Sequence, residues 1–439
     1  MSRIASSEML KQKIEEGAAV FGVVGLGYVG LPLIVEMAAR SGNHCIGFDI
    51  CPDRAQQVND GISYIGDISS KELAPLAQQK LIEATTDFSR ASECDVIVIC
   101  VPTPLNSNNQ PDVSYMESAA AAIAPHLKSG VLVTLESTTY PGTTEEILLP
   151  AIQSDELTLG ENLFVAFSPE RVDPGNETWK IGNTPKVVGG LDEKSTDLAA
   201  FFYGKFIDTV VPVSTARAAE LSKLFENIFR CVNIALVNEL AQLCERMDID
   251  IWEVIDAAKT KPFGFMPFYP GPGLGGHCIP IDPFYLSWKA QEFDFHTQFI
   301  ELAGRTNKDM PYYVKRRLMD VLNTQEKALN GARILALGVA YKANIDDMRE
   351  SPAIDVISLL GEKGADVRYH DPHVEEYTQG EERVSSVPLT PAEVARADAV
   401  IILSGHTSVD YEMVAENAQL ILDTRHVMPS YSSDHIYKL

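Results

Sequence analysis

The chain has 439 residues, 45% of them hydrophobic and 22% charged, which is typical of a folded protein of two or three domains. Its 36 Lys and Arg against 61 Asp and Glu give a formal net charge of −25, which argues against nucleic acid and anionic lipid as partners. No apolar run approaches the ~20 residues of a membrane span.

The N-terminal segment lacks the apolar core of a signal peptide, and the seven cysteines include no CxxC pair. We therefore expect a cytoplasmic protein with reduced thiols. The nine histidines include no HxxxH pair, and we predict no metal site.

A dinucleotide-type motif begins near residue 20. A predicted strand over residues 20–24 leads into Gly25, Gly27 and Gly30, and an amphipathic helix and a second strand ending at Asp49 follow. The glycines permit a tight turn, close approach of a pyrophosphate, and tight packing of helix on strand. The helix N-terminus offers free N–H groups to the phosphates. A plain strand–turn–helix connection is the alternative.

Asp49 indicates which nucleotide is bound. A carboxylate at this position accepts hydrogen bonds from both ribose hydroxyls, which favours NAD over NADP. Arg54 weakens that preference, because a basic residue just beyond the acid can accept a 2′-phosphate.

Further strands follow in α/β rhythm and end in polar, Pro-containing turns. The predicted strand segments are 94–104, 130–144, 162–175, 186–190 and 209–213. Ligands in open α/β sheets sit beyond the carboxyl ends of the strands. The turns "VPTP", "STTYPGTT" and "SPERVDPG" are therefore candidate site loops, with ordinary connections as the alternative.

The same plan returns near the C-terminus. We predict strands over 332–337, 397–406 and 418–427, a helix from about Ser351, and a strand ending at Asp371. The first turn, at Gly338, has no GxGxxG, so this second unit binds a different ligand or none.

A helix without Gly or Pro is predicted over residues 215–250, between the two units. Glu220, Lys223 and Asn227 share one face of it, at spacing i, i+3, i+7. They are candidates for a cleft, and a solvated helix face is the alternative.

One cysteine lies in the Gly/Pro-rich segment "YPGPGLGGHCIPIDP", residues 269–283. A packing thiol usually lies in an apolar helix or strand, so Cys278 in a rigid loop is a candidate nucleophile. His277 is read as structural.

Together these motifs resemble the UDP-glucose/GDP-mannose dehydrogenase family over about residues 18–430. The resemblance rests on the motifs "GLGYVGLP", "VPTP", "ESTTYPGTT", "SPERVDPG", "AELSKLFEN", "PGPGLGGHCIPIDP" and "YKANIDDMRESPA". The wordings "TPKVVGG" and "KPFGFMPFYPGPGLGGHC" resemble its bacterial UDP-N-acetylglucosamine 6-dehydrogenase branch, which serves O-antigen and capsule synthesis.

The resemblance implies an α/β fold: two Rossmann-like doubly wound units joined by a long central helix and a helical middle domain. The implied domains are an NAD-binding domain at 1–212, a central dimerisation domain at 213–325 and a UDP-sugar-binding domain at 326–439. The implied activity is a two-step, NAD-dependent oxidation of C6 of a UDP-sugar by a homodimer or larger homo-oligomer.

The resemblance also implies three groups of site residues. The implied catalytic residues are Cys278, Lys223, Asn227, Asp282, Glu170 and Thr138. The implied cofactor-binding residues are Gly25, Gly27, Tyr28, Val29, Gly30, Asp49, Arg54, Pro102, Thr103, Thr138 and Arg349. The implied substrate-binding residues are Glu170, Arg171, Val172, Lys223, Asn227, Tyr269, Gly271, Gly273, Gly275, Lys342 and Arg425. Surface ion pairing is the alternative for Lys342, Arg349 and Arg425.

One departure concerns the "SPER" loop. UDP-glucose members resemble SPEFLRE there, with a second glutamate four positions after the first. This sequence has Pro174 at that position, so the general base for hydrolysis is unassigned, and an N-acetylhexosamine substrate is favoured. The gluco, galacto and manno epimers stay open. A one-step hydroxyacid-type dehydrogenase and an NAD-responsive binding protein are the alternative functions.

Overall fold

The computed structural model describes residues 6–66, 68–106, 110–172, 176, 178–276, 279–380, 382–431 and 433–439. These residues form two compact units. The first comprises Met1–Glu226 and Trp288–Asp294, and the second comprises Asn227–Ser287 and Phe295–Leu439.

The first unit is built on an eight-stranded sheet. Its strands are β1 (Phe21–Val24), β2 (Cys45–Phe48), β3 (Ile82–Thr85), β4 (Val96–Ile99), β5 (Val131–Leu135), β6 (Leu163–Phe167), β7 (Lys186–Gly190) and β8 (Val210–Pro212). They are ordered β3-β2-β1-β4-β5-β6-β7-β8, and all pairs are parallel except β6–β7. The first six follow the doubly wound order 3-2-1-4-5-6.

Helices cover this sheet. They are α1 (Ser6–Glu15), α2 (Gly30–Ser41), α3 (Pro52–Asn59), α4 (Ser70–Gln78), α5 (Ser114–Ile123), α6 (Leu149–Ile152) and α7 (Glu193–Tyr203). Strands β1, β2, β4, β5 and β6 are buried along their whole length, because both faces of a parallel sheet pack on helices. Each face carries its own apolar cluster.

A long helix, α8 (Ala216–Arg246), begins in the first unit and ends in the second. The helices that follow it are α9 (Ile251–Ala258), α10 (Asp282–Ala290) and α11 (Gln298–Asn323). Aspartates stand at two helix starts: Asp282 opens α10, and the Asp250 carboxylate caps α9 by accepting from the Trp252 backbone N–H.

The second unit contains a five-stranded parallel sheet in the order β10-β9-β13-β14-β15 and a separate β11–β12 hairpin. The strands are β9 (Arg333–Leu337), β10 (Asp366–His370), β11 (Glu376–Gln379), β12 (Glu382–Ser385), β13 (Ala399–Ile402), β14 (Ile421–Asp423) and β15 (Ile436–Lys438). Its other helices are α12 (Pro352–Gly361), α13 (Pro391–Arg396) and α14 (Tyr411–Asn417).

The predicted fold class is confirmed: two parallel-sheet α/β units are joined through a helical segment. Among the described residues, none of the helices combines the length and apolar character needed to span a membrane.

Candidate active site

The glycine-rich turn of the first unit has the geometry that a dinucleotide needs. Gly25 has φ +90°, a left-handed conformation that disfavours larger residues. A Cβ at Gly30 would lie 1.8 Å from the Gly25 carbonyl oxygen, so glycine is required there for close packing. A Cβ at Gly27 would meet nothing within 4 Å. The space beside Gly27 is therefore open to a phosphate. Val29 occupies the position just before α2, and the Tyr28 side chain is exposed.

Asp49 is fixed beside this turn. It follows β2 directly and is buried. Its Oδ2 atom accepts from the Leu26 backbone N–H at 2.9 Å, and its Oδ1 atom accepts from the Cys51 N–H at 2.9 Å. The Arg54 guanidinium lies 3.6 Å from Oδ2. The carboxylate is thus held where the sequence predicts a ribose contact, and Arg54 forms an ion pair with it.

The loops after β4 and β5 are joined by two hydrogen bonds. The Ser137 hydroxyl donates to the Val101 carbonyl at 2.7 Å, and the Thr103 hydroxyl donates to the Thr138 carbonyl at 2.5 Å. The structure therefore brings Thr103 and Thr138 together at the carboxyl edge of the sheet, beside the exposed Pro102.

Glu170, in the loop after β6, is held from two sides. Its Oε1 atom accepts from the backbone N–H groups of Arg171 and Val172, both at 2.7 Å, and its Oε2 atom lies 3.4 Å from the Lys186 ammonium. Burial alone would raise the pKa of Glu170, but Lys186, these N–H groups and Lys223 hold that pKa below its usual value. Glu170 is therefore a carboxylate at neutral pH.

Arg171 pairs with α8. Its Nη2 atom lies 2.6 Å from Glu226 Oε1 and its Nε atom 3.3 Å from Oε2, while Nη1 donates to the Pro185 carbonyl at 2.7 Å. Glu226 lies almost one helical turn after the half-buried Lys223. The fork geometry ties the Glu170 loop to the part of α8 that carries Lys223.

In the second unit, Asn227 and Asp282 are joined directly. The Asn227 Nδ2 group donates to Asp282 Oδ2 at 2.5 Å, and both side chains are buried. Asn227 lies on α8, one turn beyond Lys223. A buried carboxylate with a fixed amide donor can accept a proton from a hydroxyl that approaches it.

The segment 269–276 is anchored by buried amides. The Gly271 N–H donates to Asn238 Oδ1 at 3.0 Å, and Asn238 Nδ2 donates to Asn307 Oδ1 at 2.9 Å. A Cβ at Gly275 would lie 2.5 Å from the Tyr341 Cβ, so this segment requires glycine for its close packing.

Tyr269, Gly271 and Gly273 of the predicted substrate site lie in this segment, and Arg425 lies against it. Tyr269 is exposed and its ring stacks on Trp252 at 6.0 Å. Gly273 has φ +139°. A Cβ at Gly271 would come within 2.7 Å of the Arg425 guanidinium. Arg425 Nε donates to the Leu403 carbonyl at 2.8 Å. Burial lowers the pKa of Arg425 to about 10, although the Asp423 carboxylate acts to raise that pKa.

The turn after β9 carries Lys342, which is exposed, and Arg349, whose Nη2 atom lies 2.6 Å from Asp347 Oδ2. The Arg349 carbonyl accepts from the Gly276 N–H at 2.9 Å. Arg349 thus links this turn to the 269–276 segment within the second unit. Surface ion pairing was the alternative role of Arg349 in the sequence analysis, and its contact with Asp347 is such a pair.

Asp371 occupies the position in the second unit that corresponds to Asp49 in the first, but its contacts differ from those of Asp49. Asp371 follows β10 and accepts from the Val339 N–H at 2.7 Å, as Asp49 does from Leu26. Its Oδ2 atom also lies 3.0 Å from His406 Nε2, and both side chains are buried. Burial would raise the pKa of Asp371, but His406 and backbone N–H groups hold it at about 2. The position at which the sequence predicts a ribose contact in the first unit is here a buried carboxylate that contacts a histidine of the same unit.

Three residues of interest, His277, Cys278 and Pro174, lie outside the described residues. Their roles therefore stay as the sequence predicts them. Among the residues the structure describes, no cluster of His, Cys, Asp and Glu is arranged to hold a metal ion.

Sequence reasoning missed several buried polar groups beside the predicted site. They are Glu136, Lys186, Tyr203, Asn238 and His406. Lys186 is the first residue of the apolar segment "KVVGG". A charged residue at the start of a buried strand is unusual, and this could have identified Lys186 from the sequence.

A glycine-rich turn followed by a fixed acid after the next strand is typical of a Rossmann-type, dinucleotide-binding protein. Three family models match the chain: the NAD binding domain of the UDP-glucose/GDP-mannose dehydrogenase family at residues 19–207, its central domain at 217–309 and its UDP binding domain at 335–430. The chain belongs to this family of NAD-dependent nucleotide-sugar dehydrogenases, and the predicted NAD cofactor is confirmed.

Individual relatives cover almost the whole chain. The UDP-N-acetyl-D-glucosamine 6-dehydrogenase of Pseudomonas aeruginosa is 35% identical over 92% of this chain and 94% of its own. The NDP-N-acetyl-D-galactosaminuronic acid dehydrogenase of Ralstonia nicotianae is 35% identical over 92% and 95%. The solved UDP-D-ManNAc dehydrogenase of Pyrococcus horikoshii superposes with a TM-score of 0.85 at 31% identity, over 95% and 98%.

Proposed function

We propose that this chain oxidises C6 of a UDP-N-acetylhexosamine to the uronic acid, with UDP-N-acetylglucosamine as the preferred substrate. The product would serve the synthesis of a surface polysaccharide such as O-antigen or capsule. One observation carries the proposal: the three relatives above are named for N-acetylated sugars, at matching identity and coverage. UDP-glucose and the manno and galacto epimers are the alternatives.

The reaction removes four electrons from the C6 alcohol. NAD, when bound, supplies the hydride acceptor for each of two oxidations. One water enters, and one uronic acid and two NADH leave for each sugar.

The first oxidation needs a group that takes the hydroxyl proton and donors that hold the oxygen. We assign the proton to Asp282, whose buried carboxylate is already oriented by Asn227. Lys223 and the Asn227 amide are one helical turn apart on α8, a spacing suited to holding the developing alkoxide.

The second oxidation needs a nucleophile, because an aldehyde has no hydroxyl to oxidise. We assign it to Cys278, whose thiolate adds to the aldehyde as a thiohemiacetal that yields a thioester on oxidation. Thr138 lies in the loop after β5 and is assigned to position the hydrolytic water. Glu170 is a carboxylate at neutral pH and is assigned to acid/base work in the hydrolysis.

The diphosphate and base need positive groups and backbone donors, since the net charge of −25 repels anions. We assign these contacts to Lys342, Arg425 and the 269–276 segment, with Arg171 and Val172 beside the sugar. The half-buried guanidinium of Arg425, which lies against Gly271, supports this assignment.

The preference for a 2-acetamido group rests on two features of the sequence. Pro174 replaces the second glutamate of UDP-glucose enzymes and does not repel a bulky neutral group. The aromatic run over residues 261–271 offers apolar surface for the acetamido methyl. Burying one methyl is worth about 0.8 kcal/mol, and a buried amide hydrogen bond ~1–3 kcal/mol more.

The test is a panel of UDP-sugars scored by initial rate and by NADH formed per sugar consumed. We expect two NADH per sugar and a kcat/KM for UDP-N-acetylglucosamine roughly ten to a thousandfold above that for UDP-glucose. Equal or better turnover of UDP-glucose would reject the N-acetylhexosamine assignment. One NADH per sugar would favour a one-step dehydrogenase, and none would favour a binding protein.

We also propose that the chain works as a homodimer through the part of α8 in the second unit. Large apolar side chains are exposed there at intervals of seven, four and three residues: Phe229, Leu236, Leu240 and Leu243, with Met247 just beyond the helix end. That spacing forms one apolar stripe that a second copy can cover. Light scattering should give twice the 48.1 kDa chain mass, and Leu240→Glu should shift it toward the monomer. A monomeric wild-type protein would contradict this.

A further inference from the structure

Three charged side chains of the first unit form a buried cluster behind the carboxyl edge of the sheet. Lys186 is the first residue of β7. Its Nζ atom lies 2.9 Å from Glu136 Oε2 and 3.4 Å from Glu170 Oε2. The side chains are 5%, 0% and 15% exposed, respectively. One ammonium is thus shared by two carboxylates away from water.

Glu136 holds Lys186 from the interior. The Tyr203 hydroxyl donates to Glu136 Oε1 at 2.7 Å and lies 3.1 Å from the Thr134 hydroxyl. Each oxygen of the Glu136 carboxylate thus has a hydrogen-bond donor, Tyr203 on Oε1 and Lys186 on Oε2, as a buried ionisable group requires. Burial raises the pKa of Glu136 above its usual value, although Lys186 opposes the change.

Glu170 faces Lys186 from the other side. The backbone N–H groups of Arg171 and Val172 fix one of its oxygens, and Lys186 faces the other. These contacts leave the carboxylate little rotational freedom. Lys186 therefore contributes to the orientation of Glu170 together with the two N–H groups, and to its charge together with those groups and Lys223.

Other titratable groups face the cluster from neighbouring elements. Lys223 on α8 acts on Glu170 in the same direction as Lys186. Cys100, after β4, is a neutral thiol because burial raises its pKa well above the usual value. Tyr203 is neutral for the same reason. Lys186 itself stays charged, because Glu136 and Glu170 together outweigh the effect of its burial on its pKa.

We propose that Lys186 is a positioning residue that keeps Glu170 oriented and ionised for hydrolysis, with Glu136 and Tyr203 holding the ammonium in place. This rests on the proposed function, in which Glu170 serves thioester hydrolysis. In that step the water oxygen bonds to the thioester carbonyl carbon, the C–S bond to Cys278 breaks, and a water proton passes to Glu170. Protonated Glu170 cannot accept that proton.

The test compares pH profiles of uronic acid formation. In the wild type the low pKa of Glu170 keeps the carboxylate charged, so kcat does not fall on its account until the pH approaches that low pKa. In Lys186→Met the pKa of Glu170 rises, so the fall in kcat should move upward by about one pH unit or more. Lys186→Arg keeps the cation and should keep the wild-type profile. Lys205→Met, which breaks an ion pair with Glu15 elsewhere in the unit, is the control.

A second variant guards against misfolding. Lys186→Met combined with Glu136→Gln removes both members of the most deeply buried pair, so the Glu136 charge is not left unpaired to destabilise the fold. The double variant should show the same upward shift as Lys186→Met. A wild-type profile in either folded variant overturns the proposal, as does a shifted profile in Lys205→Met.

The failure of the proposed function looks different. In that case the wild-type chain forms no uronic acid from any UDP-sugar, or Glu170→Gln keeps wild-type activity. An active wild type that loses hydrolysis in Glu170→Gln, together with an unshifted Lys186→Met, overturns only the role of Lys186.

Discussion

The Asn227 amide donates to the Asp282 carboxylate at 2.5 Å, and the two residues stand 55 positions apart in the chain. The bond joins the long helix α8 to the first residue of α10, which lies at the end of the Gly/Pro-rich segment. The amide donates one N–H to the buried carboxylate and so fixes the orientation of Asp282.

Replacing Asp282 tests this pair. Asp282→Asn keeps the shape but removes the proton acceptor, so we expect kcat to fall about 100-fold or more while KM changes little. Steady-state NADH formation with UDP-N-acetylglucosamine measures both. Asp294→Asn, at an exposed position, is the matched control and should behave as wild type. A kcat for Asp282→Asn within threefold of wild type would contradict the assignment.

Replacing Cys278 tests the second oxidation. Cys278→Ser should abolish acid formation, because an oxygen ester is a poorer substitute for the thioester. Binding of NAD and of the UDP-sugar, measured by calorimetry, should stay close to wild type. The control is Cys244→Ser, a partly buried free cysteine on α8. A wild-type yield of uronic acid from Cys278→Ser would contradict the thioester mechanism.

Replacing Asp49 tests cofactor choice. Asp49→Ala removes a carboxylate that repels a 2′-phosphate and leaves Arg54 without its ion-pair partner. We expect the preference for NAD over NADP to narrow roughly tenfold to a hundredfold, since hydrogen bonds to a charged group are worth about 1.5–3 kcal/mol. The ratio of kcat/KM for the two cofactors measures this. An unchanged ratio would mean that Asp49 does not read the ribose.

Replacing Glu220 tests how the Thr138 loop is held. The buried Glu220 carboxylate accepts from the Gly142 N–H at 2.6 Å, the Thr144 N–H at 2.9 Å and the Thr144 hydroxyl at 2.6 Å. Glu220→Ala leaves these donors buried and unpaired, so the free energy of unfolding should fall by roughly 2–5 kcal/mol.

The control for Glu220→Ala is Glu145→Ala, which removes an exposed ion pair with Arg217 and should cost under about 1 kcal/mol. Urea denaturation followed by circular dichroism compares the two variants. Equal losses would show that Glu220 does not anchor the loop.

The sequence alone determined the features that depend on neighbours in the chain. The turn from Gly25 to Gly30 was predicted because strand, glycines, helix and Asp49 lie within one short segment. The segment "KVVGG" was predicted with its observed bounds, and Ser351 stands at the predicted helix start as the N-cap of α12. Local hydrogen-bonding rules and apolar runs suffice for such features.

Other elements were not predicted. Strand β3 is short and carries a glutamate, the β11–β12 hairpin is rich in charged residues, and β15 closes the edge of its sheet with only three residues. Each depends on pairing with a partner strand more than on its own apolar pattern.

Only the tertiary structure decided which charges meet. Lys186, Glu136 and Glu170 come from three neighbouring parts of the sheet, and the lysine lies 50 and 16 positions from its two partners in the chain. Glu136 follows β5, Glu170 follows β6 and Lys186 opens β7, so these side chains meet only when the three strands pair, and no local spacing encodes the distances between them. A buried lysine is stable only where carboxylates surround it, and that surrounding exists once the sheet has formed.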